Sequence, residues 1–144
     1  MGLGVTEGSL DAMLAVEEPL GHVNQFLHDR PDAIAAELTR EEGKSLNLAR
    51  DEIMRSAQTL RFYAVEGQTF SGESYPNDDP DMLVYSLREP LGVVTVISPW
   101  NFPVSIPARK IAPALITGNT VVFKPSSDAP LSGYRLAEIG RAHV

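Results

Sequence analysis

Apolar residues recur at helical spacing through the first half of this chain and as unbroken β-branched runs through the second. From Leu46 onward, Ala49, Ile53, Ala57, Leu60 and Ala64 follow at intervals of three and four. That spacing predicts one long helix to about Val65 with a single buried face. Arg50, Asp51, Arg55, Gln58 and Arg61 fall on its other side. Upstream, His22 to Arg40 reads as two short helices broken at Asp29-Arg30-Pro31, because proline suits the first helical position. Ile34 and Leu38 give the second its apolar stripe, and Gly43 ends it. Nearer the start, Leu10, Met13 and Leu14 permit a helical turn or two before Pro19.

The pattern changes at Gly67. Gly72, Pro76, Asn77, Asp78 and Pro80 supply turn chemistry, and Met82 to Leu87 reads as a strand. Thr69-Phe70 and Leu83-Val84-Tyr85 are expected to pair as an antiparallel ribbon. Such a ribbon has too little core to stand alone and should pack on something else, another subunit included. Val93 to Ile97 is a β-branched run without alternation, as expected of a strand buried on both faces of a parallel sheet. A helix from Pro103 to Thr117 follows, with Ile106, Ile111, Leu115 and Ile116 as its apolar residues. Pro107 and Pro113 should kink or split it, and Gly118 should stop it. Thr120 to Phe123 is a second buried strand, closed by Lys124-Pro125, and Leu131 to Ile139 starts another helix. Strand, helix, strand, helix at this spacing is a βαβα unit, the opening of a doubly wound α/β nucleotide-binding sheet.

Composition narrows the function. The chain has 144 residues, 43% hydrophobic and 22% charged, the balance of one soluble globular domain. Net charge is −7 with acidic residues spread throughout, which disfavours a nucleic-acid surface. No apolar run suits a membrane span, and Met1 to Leu20 lacks the basic residues of a targeting peptide, so the expected compartment is cytoplasmic. There is no cysteine, hence no disulfide, thiolate metal site or cysteine nucleophile within these residues. His22, His28 and His143 lack metal-site spacing. Gly2, Gly4 and Gly8 have neither the spacing nor the preceding strand of a dinucleotide-binding loop.

Candidate chemistry sits where ligands bind in open parallel sheets, at the carboxyl ends of the strands. Ser98-Pro99-Trp100-Asn101 follows the first strand and Lys124-Pro125-Ser126-Ser127 the second. Asn101 offers an amide that can donate to an oxyanion. Lys124 offers a cation and donors for ribose hydroxyls or a phosphate. Structural readings stand beside these: Asn101 as a helix N-cap, Trp100 as a core aromatic, Lys124 as a solvated charge.

The stretch from Arg88 to Gly133, with PWNFP and a KPS-type turn in order and at matching spacing, resembles the aldehyde dehydrogenase superfamily. LTREEGK, Leu38 to Lys44, and the helix after it resemble the same family, so the likeness covers roughly His22 to Ile139. The resemblance implies the start of that family's fold, incomplete here: residues 1–21 unassigned, 22–67 the helical part of the cofactor domain, 68–91 an antiparallel arm joining subunits, and 92–139 the first βαβα of the Rossmann-like NAD(P)-binding domain. In the family a cysteine thiolate attacks the aldehyde, hydride passes to the nicotinamide, and water activated by a glutamate hydrolyses the thioester. Asn101 matches the asparagine that stabilises the oxyanion. Ile97, Ser98, Pro99 and Trp100 match the strand end and loop bordering the cofactor. Lys124, with Ser126 and Ser127 after it, matches the segment that binds the adenosine ribose.

Ser127 stands where the family commonly has a glutamate that repels a 2′-phosphate, so the resemblance implies that NADP is tolerated or preferred beside NAD. The segment around Ile106 to Asn119 is most like enzymes of carboxylated semialdehydes such as 2-oxoglutarate semialdehyde. The parent is expected to be a homodimer or homotetramer. Because the family's cysteine and glutamate are missing, the chain alone is expected to be inactive. With two parallel strands and an open edge it is also expected to be marginally stable or partly molten. Glu138 to Val144 correspond to one translated frame of a short-read sequencing adapter. Residues 140–144 are therefore expected to be an artefactual tail, and the poor match of residues 1–21 to reflect a misassigned start. The alternative is a short non-catalytic partner that pairs with full-length subunits through Gln68 to Glu89.

Overall fold

A computed structural model describes residues 20–141. The expectations placed on residues 1–19 and on residues 142–144 lie outside them. Helix α1, whose described part covers residues 20–29, bends at Arg30 into α2, Pro31–Glu42, with proline in the first turn as expected. Gly43, at φ 86°, closes α2 in the left-handed conformation that glycine adopts without a Cβ clash, and its N–H donates to Thr39 C=O. The reversal delivers Lys44 and Ser45 to the start of α3, Leu46–Glu66, where the Ser45 hydroxyl accepts from Leu48 N–H.

The predicted face of α3 is the core. Ala49, Ile53, Ala57, Leu60 and Ala64 are buried, packed with Leu20, Val23 and Leu27 of α1 and Ala35 and Leu38 of α2. Ile34 packs at its edge.

After α3 the chain departs from expectation. Thr69 ends a 3₁₀ turn, Gly67–Thr69, rather than starting a strand. The antiparallel ribbon forms, and its second limb, β2, Val84–Tyr85, is where it was expected, but its first limb, β1, Ser74–Tyr75, lies inside the stretch read as turn. Gly72 explains the shift: a Cβ there would fall 1.7 Å from Ser86 O, so the two limbs close tightly beside it. Met82, Leu83 and Leu87 stay outside the strand, and all three are exposed.

Strand β3, Val93–Ile97, pairs in parallel with β4, Thr120–Lys124, through helix α4, Ser105–Ile116. Helix α5, Pro130–Arg141, follows. The expectation that both strands are buried on both faces is corrected. Val96 is buried, whereas Val93 and Ile97 are 68% and 63% exposed, and Val122 is open on the same face. The described helices stack on the other face: α4 on the strands, α3 on α4, α2 on α3, and α5 on α2. Helix α4 is also neither split nor broken. Pro107 lies in its first turn, where a missing N–H has no partner to lose. Pro113 removes one rung, and the ladder resumes with Thr117 N–H on Pro113 C=O. Its packed face is Ala108, Ala112 and Ile116; Ile106, Ile111 and Leu115 are half-buried.

The helix leaves through Gly118. Gly118 N–H donates to Leu115 C=O and Asn119 N–H to Ala114 C=O, a left-handed cap. The buried Asn119 amide donates to Ala114 C=O and Thr117 Oγ1, while its oxygen accepts from Gly92 N–H. One side chain thus ties the end of α4 to the entry of β3.

Candidate active site

Register brings the two polar clusters together. Ile97 lies opposite Lys124, and Ser98 N–H donates to Lys124 C=O at 3.3 Å. The Ser98-Pro99-Trp100-Asn101 loop and the Lys124-Pro125-Ser126-Ser127 turn therefore leave the same carboxyl edge side by side. Ile97 sits on the open sheet face. Ser98 is buried and its hydroxyl has no partner among the described residues. Pro99 is exposed and Trp100 is 52% exposed, so the tryptophan is no core aromatic.

Asn101 is exposed and does not cap α4, whose N-cap is Val104 with no capping bond from its own side chain. The capping group comes from elsewhere. Glu52 of α3 has a fully buried side chain, and its Oε1 accepts from Val104 N–H (2.9 Å) and Ser105 N–H (3.0 Å). A carboxylate on two helix N-terminal amides satisfies donors that otherwise lack partners and complements the helix dipole. Its other oxygen accepts from Lys44 Nζ. Lys44 also donates to the backbone C=O of Asn101 at 2.8 Å and sits over the Phe102 ring at 4.5 Å. It faces Glu42 Oε2 at 3.1 Å as an ion pair that is not aligned as a hydrogen bond. Ile106 N–H on Phe102 C=O completes the bracing of the loop.

The second cluster is held from the same side of the fold. Glu41 of α2 accepts from Leu131 N–H, from Ser132 N–H (2.8 Å) and from the Ser132 hydroxyl at the start of α5. Gly133 lets α5 close on the turn, since a Cβ there would lie 2.4 Å from Pro125 Cβ. Arg135 joins α5 to α2 through Glu37. Its guanidinium is held above its ordinary pKa, first by the hydrogen bond to Glu138 and then by Glu37. Lys124 is exposed, and among the described residues its Nζ bonds only to Pro125 C=O, at 3.2 Å. The Ser126 hydroxyl accepts from Asp128 N–H, and Ser127 is exposed.

Glu52, Lys44 and Glu41 carry no role in the sequence reading. Glu52 and Ser56 nevertheless share the helical phase of Ala49, Ile53 and Leu60, so polar residues on a buried stripe were the available signal. A further groove between α3 and α4 is lined by Arg55, Gln58, Thr59, Phe62, Tyr63 and Arg109. Neither guanidinium has a carboxylate partner among the described residues. Among those residues no helix is long and apolar enough to cross a membrane, and no cluster of acidic or histidine side chains is arranged to hold a metal ion.

Residues 16–143 match the Aldehyde dehydrogenase family. The chain is 50% identical over 107 residues to α-ketoglutaric semialdehyde dehydrogenase of Bacillus subtilis, covering 74% of this chain and 22% of that protein. It is 42% identical over 115 residues to 2,5-dioxopentanoate dehydrogenase of Saccharolobus solfataricus, covering 80% and 24%. Among solved structures, it superposes on glyceraldehyde-3-phosphate dehydrogenase of Methanocaldococcus jannaschii complexed with NADP. The TM-score is 0.87 with 35% identity, over 91% of this chain and 28% of that one. The chain thus spans less than a quarter of the length of these two curated relatives. On sequence and fold together, the chain belongs to the aldehyde dehydrogenase family.

Proposed function

We propose that this chain supplies one wall of the active site of an enzyme that oxidises a carboxylated semialdehyde to the acid with NADP or NAD. The observation that carries the reading is Asn101. Its side chain stands at the carboxyl edge of the sheet, relieved of capping duty by Glu52 and adjacent to the Lys124 turn. Its amide N–H₂ would donate to the oxygen of the aldehyde as negative charge develops there, before and after hydride loss.

The cofactor suits the donors present. Ser98 has a buried hydroxyl without a partner among the described residues, and Lys124 keeps donors beyond its bond to Pro125. Ile97, Ser98, Pro99 and Trp100 would border the dinucleotide, and Lys124, Ser126 and Ser127 would take its ribose end. When bound, the nicotinamide supplies the hydride acceptor. Ser127 adds no negative charge where a 2′-phosphate would approach, which supports use of NADP. Arg55 and Arg109, which have no carboxylate partner among the described residues, support a carboxylated substrate, as do the names of the semialdehyde-oxidising relatives. With no cysteine among its 144 residues, the chain by itself would oxidise no aldehyde.

In a full-length enzyme carrying this chain, Asn101→Ala should lower kcat by about 10²- to 10³-fold while leaving the KM for NADP unchanged. An unchanged kcat would remove Asn101 from the chemistry. Arg109→Ala should raise KM for a carboxylated semialdehyde and leave an uncharged aldehyde unaffected. The ribbon favours an assembly role, because Tyr75, Val84, Tyr85 and Leu87 are all exposed. Tyr85→Asp should then dissociate the oligomer in light scattering. A second reading, a non-catalytic chain that pairs with full-length subunits through residues 68–89, rests on the same ribbon and requires co-purification with such subunits.

A further inference from the structure

We infer that Glu52 and Lys44 are positioning residues that aim the Asn101 amide, an inference that rests on the oxyanion role proposed above. The Asn101 side chain makes no bond to the described residues, so its direction is inherited from its backbone. That backbone is fixed from one side by a single pair. Lys44 Nζ holds the Asn101 carbonyl at 2.8 Å. Glu52 Oε1 holds Val104 N–H and Ser105 N–H at 2.9 and 3.0 Å, and the two side chains bond each other. Phe102, the residue next to Asn101, is covered by the same ammonium.

The pair is well placed for this task. Glu52 is 3% exposed and both its oxygens are engaged, so its rotamer is locked by three partners on two segments. Lys44 is anchored by the turn at Gly43 and by Glu42 behind it. Sequence separation is large: Lys44 and Asn101 are 57 residues apart, and Glu52 and Val104 are 52. The clamp therefore transmits the position of the α2–α3 turn directly to the oxyanion donor. A displacement of about 1 Å in such a donor is worth on the order of 10²-fold in rate.

The test is a double-mutant cycle in a full-length enzyme carrying this chain. Glu52→Gln and Lys44→Met should each lower kcat by roughly 10- to 100-fold, with KM for NADP unchanged. Each combined with Asn101→Ala should be no slower than Asn101→Ala alone, because the clamp acts only through that side chain. Lys44→Arg, which restores the charge and a donor, should recover part of the rate. Losses that multiply in the double variants would overturn the inference, as would loss of folded enzyme in both single variants, since either means a purely structural role. If Asn101→Ala alone leaves kcat unchanged, the oxyanion reading fails instead, and the two failures are told apart.

Discussion

The loop after β3 and the turn after β4 leave one sheet edge as neighbours, yet they are held very differently. The first is braced from inside. A buried carboxylate and a lysine converge on its backbone, and the Asn101 side chain makes no bond to the described residues. The second is braced from its rim: Glu41 is only half-buried, Lys124 is exposed, and Ser127 has no bond to the described residues. The difference follows the work proposed for each. An oxyanion donor must be aimed in advance, whereas a ribose-binding turn can gather its contacts from the ligand.

Breaking the inner brace should have the largest effect. Glu52→Ala leaves Lys44 without its buried partner and strips two helix amides of their acceptor, and should destabilise by about 3–5 kcal/mol in urea unfolding. A loss below about 1 kcal/mol would make the two braces equivalent. On the rim, Ser127→Glu should weaken NADP relative to NAD roughly tenfold, or about 1.4 kcal/mol, in binding titrations with full-length enzyme. An unaltered ratio would mean that Ser127 does not face the 2′-position. Glu41→Ala should cost about 1 kcal/mol, the usual size of a lost helix cap. A larger loss would show the rim brace to be as deep as the inner one. Trp100→Ala should change stability by less than about 0.5 kcal/mol, since the ring is exposed.

The same contrast explains what could be read from the chain. Helix α3 was legible because Ala49, Ile53, Ala57, Leu60 and Ala64 repeat at helical spacing, and the βαβα order was legible from its β-branched runs. Asn101 and Lys124 were legible as polar residues closing those runs. The second limb of the ribbon was legible, but the first was misplaced because a ladder of two residues per strand carries no alternation to count, and Thr69 and Phe70 are good strand formers that here finish a helical turn. The strands look apolar on both sides, and only the arrangement of helices on one face decides which side chains are covered. Glu41 bonds a hydroxyl 91 residues away, a pairing without any local signature. Glu52 was hidden differently: it sits beside Asp51, and charge alone does not separate a solvent-facing acid from its buried neighbour.

The long reach of Glu52 also has a consequence during synthesis. The α2–α3 hairpin emerges before α4 and docks through nearby contacts, but among the side-chain partners described for Glu52 it can meet Lys44 alone until Val104 and Ser105 leave the ribosome. Until then the Glu52 carboxylate faces water, and α3 lacks the helix that covers this side of it. The arrival of α4 should therefore be the step at which the early helices become protected from proteases. Ribosome-bound chains stalled just before that point should remain sensitive to them.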